Sequence, residues 1–125
     1  MTTPPTAPTP ESAYAEAPCI LGEITWVFSS VAHREFGDPM GREYWLRKAA
    51  VLDRIALAEA ERYAPQVAAQ AIETAEKAAH RLADFDYTHH TTRGPLGPLV
   101  SPPGMSYRPY VRQEYLAWLT AHAES

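Results

Sequence analysis

Between Gly37 and Gly94 the chain carries proline only at positions 39 and 65, and the segments that follow each of them repeat their apolar residues with helical spacing. Proline is accepted in the first turn of a helix and rejected inside one, and the residue before it avoids the α region. Pro39 and Pro65 therefore mark helix starts. Gly37 is suited to end one helix and Asp38 to cap the next, which runs from Pro39 to about Tyr63. On it Glu43, Arg47, Arg54 and Glu61 form a narrow polar stripe. Tyr44, Trp45, Leu46, Val51, Leu52, Ile55 and Leu57 take most of the remaining circumference, so this helix packs on more than one side. Gln66–Phe85 is the next helix, with Val67, Ala71, Ile72, Ala75, Ala78, Ala79, Leu82 and Phe85 on one half. Its alanine seam permits close approach, and the short connection through Ala64-Pro65 makes the pair an antiparallel hairpin. Trp45, Leu52 and Ile55 are expected to face that seam as core, so that an acid at position 55 unfolds the protein.

The rest of the chain is arranged around this hairpin. Met1–Pro18 is Thr, Pro, Ala and Glu with one aromatic, Tyr14, and reads as a disordered arm that can be removed without loss. In Ile20–Phe36 a helix places Ile20, Leu21, Ile24, Val27, Phe28 and Val31 inward and Trp26, with Ser29 and His33, outward. A strand over Ile24–Phe28 is the rival, and a helix is preferred because a lone strand has no partner. Asp86–Tyr107 has no periodicity and is expected to be a proline-rich loop, with its Pro-Leu-Gly-Pro-Leu stretch lying as an extended cover. Pro109–His122 is a last helix with Val111, Tyr115, Trp118, Leu119 and His122 on one face. The predicted fold is all-α: an arm at 1–18, then one domain at 19–125, a small bundle of about four helices with a loop at 86–107.

Composition narrows the function classes. A chain of 125 residues, 46% hydrophobic and 21% charged, allows one compact domain. Cys19, the single cysteine, can form no internal disulfide and no thiolate pair for zinc. No apolar run approaches the roughly 20 residues that span a bilayer, and no basic stretch precedes an apolar one, so a cytosolic chain without membrane contact is expected. The net charge of -4 is spread as -2 over Met1–Pro18, -1 over Cys19–Ala64, -2 over Pro65–His90 and +1 over Thr91–Ser125. No segment is strongly basic, which argues against autonomous nucleic-acid binding.

Three stretches, Arg42–Leu57, Arg81–Asp86 and Tyr110–Tyr115, resemble short hypothetical proteins common in high-GC Gram-positive bacteria and in their phages and integrative plasmids. No activity goes with the resemblance, so it transfers no residue role. What it implies is a mobile-element setting.

Chemistry-bearing constellations are sparse. His80 and Asp84 share a helix face at i, i+4, with Asp86, His89 and His90 just beyond, but no zinc signature accompanies them and a solvated helix end explains them. Ser29, Ser30 and His33 form no triad, and Gly94-Pro95-Leu96-Gly97-Pro98 lacks the amides of an anion cradle. No catalytic residue, cofactor or metal site is therefore expected. Arg47, Lys48 and Arg54 are expected in surface ion pairs with Glu43, Asp53 and Glu61. What remains is aromatic: Trp26 outward on its helix, and Tyr115, Trp118 and Leu119 on a face that either docks on the hairpin or meets a partner. These four are the candidate interaction surface of a non-enzymatic accessory or adaptor protein whose partner is another protein or a further copy of itself. A DNA-associated regulator of a phage or plasmid is the second reading, and a metal-dependent enzyme the third.

Overall fold

A computed structural model describes residues 6–34, 37–99 and 105–123, and among these residues all regular secondary structure is helical. The hairpin is there. Helix α3 is Arg42–Arg62 and helix α4 is Pro65–His89, with Pro65 in its first turn and Ala64 extended before it. Alanines line both sides of the contact: Ala49, Ala50 and Ala56 on α3 meet a face of α4 that buries Ala68, Ala75, Ala79 and Ala83. Alanine on both sides lets two helix axes approach to the short end of the usual ~8–10 Å.

The limits of the hairpin differ from the expectation at both ends. Helix α3 starts after Gly41 and not at Pro39, because the Met40 carbonyl accepts the indole N–H of Trp45 at 3.3 Å and holds Pro39-Met40 outside the helix. Helix α4 continues a turn past Phe85 and ends at His90, whose backbone is left-handed (φ 55°, ψ 48°). Asp86, assigned to the loop by sequence, lies inside that added turn and is buried. The apolar arc of α3 is also narrower than expected. Leu46, Ala49, Ala50 and Ala56 are core, while Leu52 and Ile55 are only partly buried.

Helix α5, Arg108–Ala123, crosses the hairpin and completes the core with Tyr110, Val111 and Tyr115 beside Leu46, Ala79, Leu82 and Ala83. Trp118 and Leu119 pack on the same cluster, so this face docks. Helix α2, Ile20–His33, settles the choice between helix and strand, and packs against α3. Its orientation is not the expected one. Glu23 is 2% exposed, whereas Leu21 and Phe28 are 71% and 72% exposed. Residues 35 and 36 lie outside the described part.

The arm requires a correction. Residues 1–5 lie outside the described residues, but Pro10–Tyr14 is a short helix, α1, capped by the Thr9 hydroxyl accepting from the Ser12 N–H at 3.2 Å. It rests on α5, with Ala13 wholly buried and the Tyr14 ring 5.6 Å from that of Tyr115.

Candidate protein-interaction surface

Three carboxylate clusters inside the bundle decide which surfaces are left outside. Asp53 is fully buried on α3 between the alanines of the hairpin seam. It accepts from Arg108 Nε at 2.5 Å, Arg112 Nε at 2.8 Å, Arg112 Nη2 at 2.9 Å and the Tyr14 hydroxyl at 2.6 Å. One carboxylate thus ties α1 and α5 to α3. Burial, then the Asp53 charge and hydrogen bond, push the Tyr14 phenol far above its usual value, so it stays a donor. The surface ion pairs expected for Asp53 are therefore corrected: this acid is interior.

At the other end Arg42 spans two buried acids. Its Nε meets Asp86 Oδ1 at 2.8 Å and its Nη2 meets Glu114 Oε1 at 2.7 Å. Asp86 also accepts from the hydroxyls of Tyr110 and Thr91, at 2.5 Å and 2.7 Å. Burial works against its ionisation, but the bonds from Arg42, Tyr110 and Thr91 outweigh that and hold its pKa below the ordinary 3.8. Glu114 takes the backbone N–H groups of Arg93 and Gly94 at 2.6 Å and 2.8 Å, and Gln113 pairs both ways with the Leu96 backbone at 2.9 Å. The first part of the proline-rich connection is thus stapled down as a cover. A Cβ at Gly94 would sit 2.3 Å from Gln113 Cδ, which is why glycine is required there.

The third cluster turns α2. Glu23 receives the Arg47 guanidinium and, at 2.9 Å, the Tyr115 hydroxyl. Arg47 also meets the exposed Glu43 at 2.9 Å, the surface pair that its spacing predicts. Its guanidinium lies over the Trp26 ring at 3.7 Å and near that of Trp118 at 5.2 Å. Trp26, Tyr115 and Trp118 are thereby brought together, but as the packed walls of a buried ion pair. Tyr115 is 1% exposed, Trp26 is half-buried under Arg47, and Leu119 is packed on the core. Of those four residues Tyr115 is buried, while Trp26, Trp118 and Leu119 keep part of their surface in water.

A more exposed apolar surface lies on the opposite side of α2. With Glu23 held inside, Leu21, Phe28 and Val31 face out. Between them and α3 runs an open apolar groove of about 490 Å³, lined by Ile24, Val27, Phe28, Val51, Leu52 and Ile55, among others. Leu52 and Ile55 continue into a second hollow of about 330 Å³ bordered by Val67 on α4, itself 59% exposed. Lys48 also lines the groove, its ammonium 5.6 Å from the Tyr44 ring. Sequence reasoning missed this face because it assigned Leu21, Ile24, Phe28 and Val31 to the core. The available signal was the acid at position 23, which the hairpin could reach only by turning α2 over.

His80 and Asp84 form an exposed pair at 3.3 Å, His89 stacks on Phe85 at 4.0 Å and His90 caps α4. Among the described residues no group of three or more His, Cys, Asp or Glu comes together as a metal-binding cluster, and no helix is long and apolar enough to cross a membrane. Compared with known proteins, the chain matches no family model, no curated protein and no solved structure.

Proposed function

We propose that this chain is a non-enzymatic interaction protein, an accessory or adaptor that holds a protein partner on the outward face of α2 and the groove between α2 and α3. One observation carries the reading: α2 hides Glu23, the one carboxylate in its 14 residues, and turns Leu21, Phe28 and Val31 to water. A surface helix of a self-sufficient bundle does the reverse. The arrangement is built in, because rolling the apolar stripe inward would leave Arg47 charged, half-buried and without Glu23, an outcome that costs several kcal/mol. Apolar, aromatic-bearing and uncharged surface is what the centre of a protein interface is made of.

The regulator reading ranks below it. Phosphate binding draws on free Lys and Arg gathered on one face, and Arg42, Arg47, Arg108 and Arg112 are engaged by buried carboxylates.

Placing a photo-crosslinking residue at position 28, and for comparison at the exposed Thr120 of α5, tests the proposal in the native host. Adducts at position 28, lost when Leu21→Lys is added and absent at position 120, are expected. Equal labelling at the two positions, or none at 28, overturns it.

A further inference from the structure

Resting on that interaction reading, we infer that the occupant of this face is a second copy of the chain, α2 lying antiparallel on α2 across a two-fold axis. Leu21, Ile24, Phe28 and Val31 follow one another at intervals of three, four and three residues. That is the spacing of a coiled-coil seam, and it is the same read from either end. Antiparallel pairing therefore sets Leu21 against the partner's Val31 and Ile24 against the partner's Phe28, and the two-fold axis repeats both contacts. Such self-complementarity is what a two-fold contact between identical chains demands.

Charge and shape favour the same occupant. The chain carries a net charge of -4, so most of its faces repel their own image. The outward face of α2 bears no carboxylate, ammonium or guanidinium, so helix meets helix without like-charge contact, with Lys48 standing to one side on the α3 wall of the groove. Beside the seam lie Gly22, Thr25, Ser29 and Ala32, and a Cβ built at Gly22 meets nothing within 4 Å. These small flanks let two such helices come close. Leu21, Phe28 and Val31, at 71%, 72% and 43% exposure, with the half-buried Ile24, present on the order of 400 Å² of apolar surface. That is about half of the roughly 800 Å² that one side of a standard interface buries, and the small flanks and the α3 wall of the groove add to it. Because association and ordering take most of what so small an apolar contact gains, the dimer is expected to assemble in the micromolar range.

Sedimentation of the full chain from about 1 to about 300 μM, alone and with Leu21→Lys or Val31→Glu, tests this. The parent is expected to pass from monomer to dimer across the range. Both substitutions lie at exposed positions, so circular dichroism and the thermal midpoint stay those of the parent. Each alone weakens the dimer at least about tenfold, while an equal mixture of the two variants recovers dimer, because antiparallel pairing sets the introduced lysine beside the introduced glutamate. A mixture no better than either variant contradicts the antiparallel register, and a dimer indifferent to both substitutions removes it from this face. A parent that stays monomeric throughout overturns the self-pairing. In that event position-28 adducts of a different mass would leave the interaction reading standing, and their absence would end both.

Discussion

Replacing Asp53 by alanine removes the one anion that, among the described residues, pairs with Arg108 and Arg112, and with it the acceptor for Tyr14. The carboxylate is fully buried, and the two guanidiniums keep only 12% and 13% of their side-chain surface in water. Breaking a buried pair by deleting one partner costs about 3–5 kcal/mol, since the survivor is left charged and uncompensated. Here two like charges are left facing each other, and the little water they retain lets them swing outward, which puts the expected loss near the lower end, about 3 kcal/mol. Against a total stability of about 5–15 kcal/mol that is a large share, and it lowers the thermal midpoint by about 10 °C. Urea denaturation followed by circular dichroism reads it as a lower transition midpoint at unchanged slope. Glu43→Ala is the control: it removes the exposed partner of Arg47, 46% exposed at the side chain, and such a surface pair contributes about 1 kcal/mol at most. A loss for Asp53→Ala no larger than that of the control would refute the claim that buried acids organise this bundle.

Three further outcomes follow from the same geometry. Gly94→Ala drives a methyl into Gln113, whose amide is pinned to Leu96 on both sides, so it costs about 1–3 kcal/mol; an unchanged thermal midpoint would show that the cover is not stapled. Removing residues 1–15 deletes Ala13 and the Tyr14 hydroxyl bond to Asp53 and lowers stability by about 1–3 kcal/mol, whereas an arm without structure predicts no change in the urea midpoint. Asp86 titrates below 3.8 in the folded chain and near its ordinary value in the unfolded one, so the unfolded chain takes up protons first as pH falls. Its contribution is whole above about pH 5 and falls away as pH drops through the ordinary value and on through the lower pKa of the folded chain, and a thermal midpoint that stays level as pH is taken well below about 4 would contradict the Arg42-centred cluster.

The hairpin was legible because Pro65 punctuates it and alanines repeat at helical spacing on α4, so local rules and the final packing agree. The docking of α5 was legible for the same reason, through Val111, Tyr115, Trp118 and Leu119. The rotation of α2 was not. Periodicity scores Glu23 as a solvent residue, and its partner Arg47 sits on another helix, a pairing that no local pattern contains. Asp53 had a visible trace: it falls on the stripe of Ala49, Ala50 and Ala56, where an acid must find cations, and Arg108 and Arg112 stand one turn apart to supply them. In the arm, Thr9-Pro10-Glu11 is a capping residue, a first-turn proline and an early acid, a helix start that composition concealed. The outward apolar face of α2 was missed for one reason: an apolar stripe at helical spacing was assigned to the interior, and a buried ion pair on the far side of the same helix turned it outward.

Carbene footprinting of apolar side chains, comparing dilute purified protein with the same protein at its native level in host extract, tests the central claim most directly. If the outward face of α2 is where this chain meets a protein, labelling of Leu21, Phe28 and Val31 falls severalfold in the extract while that of the equally exposed Tyr87 and Met105 does not. Labelling of all five that is the same in both settings would contradict it.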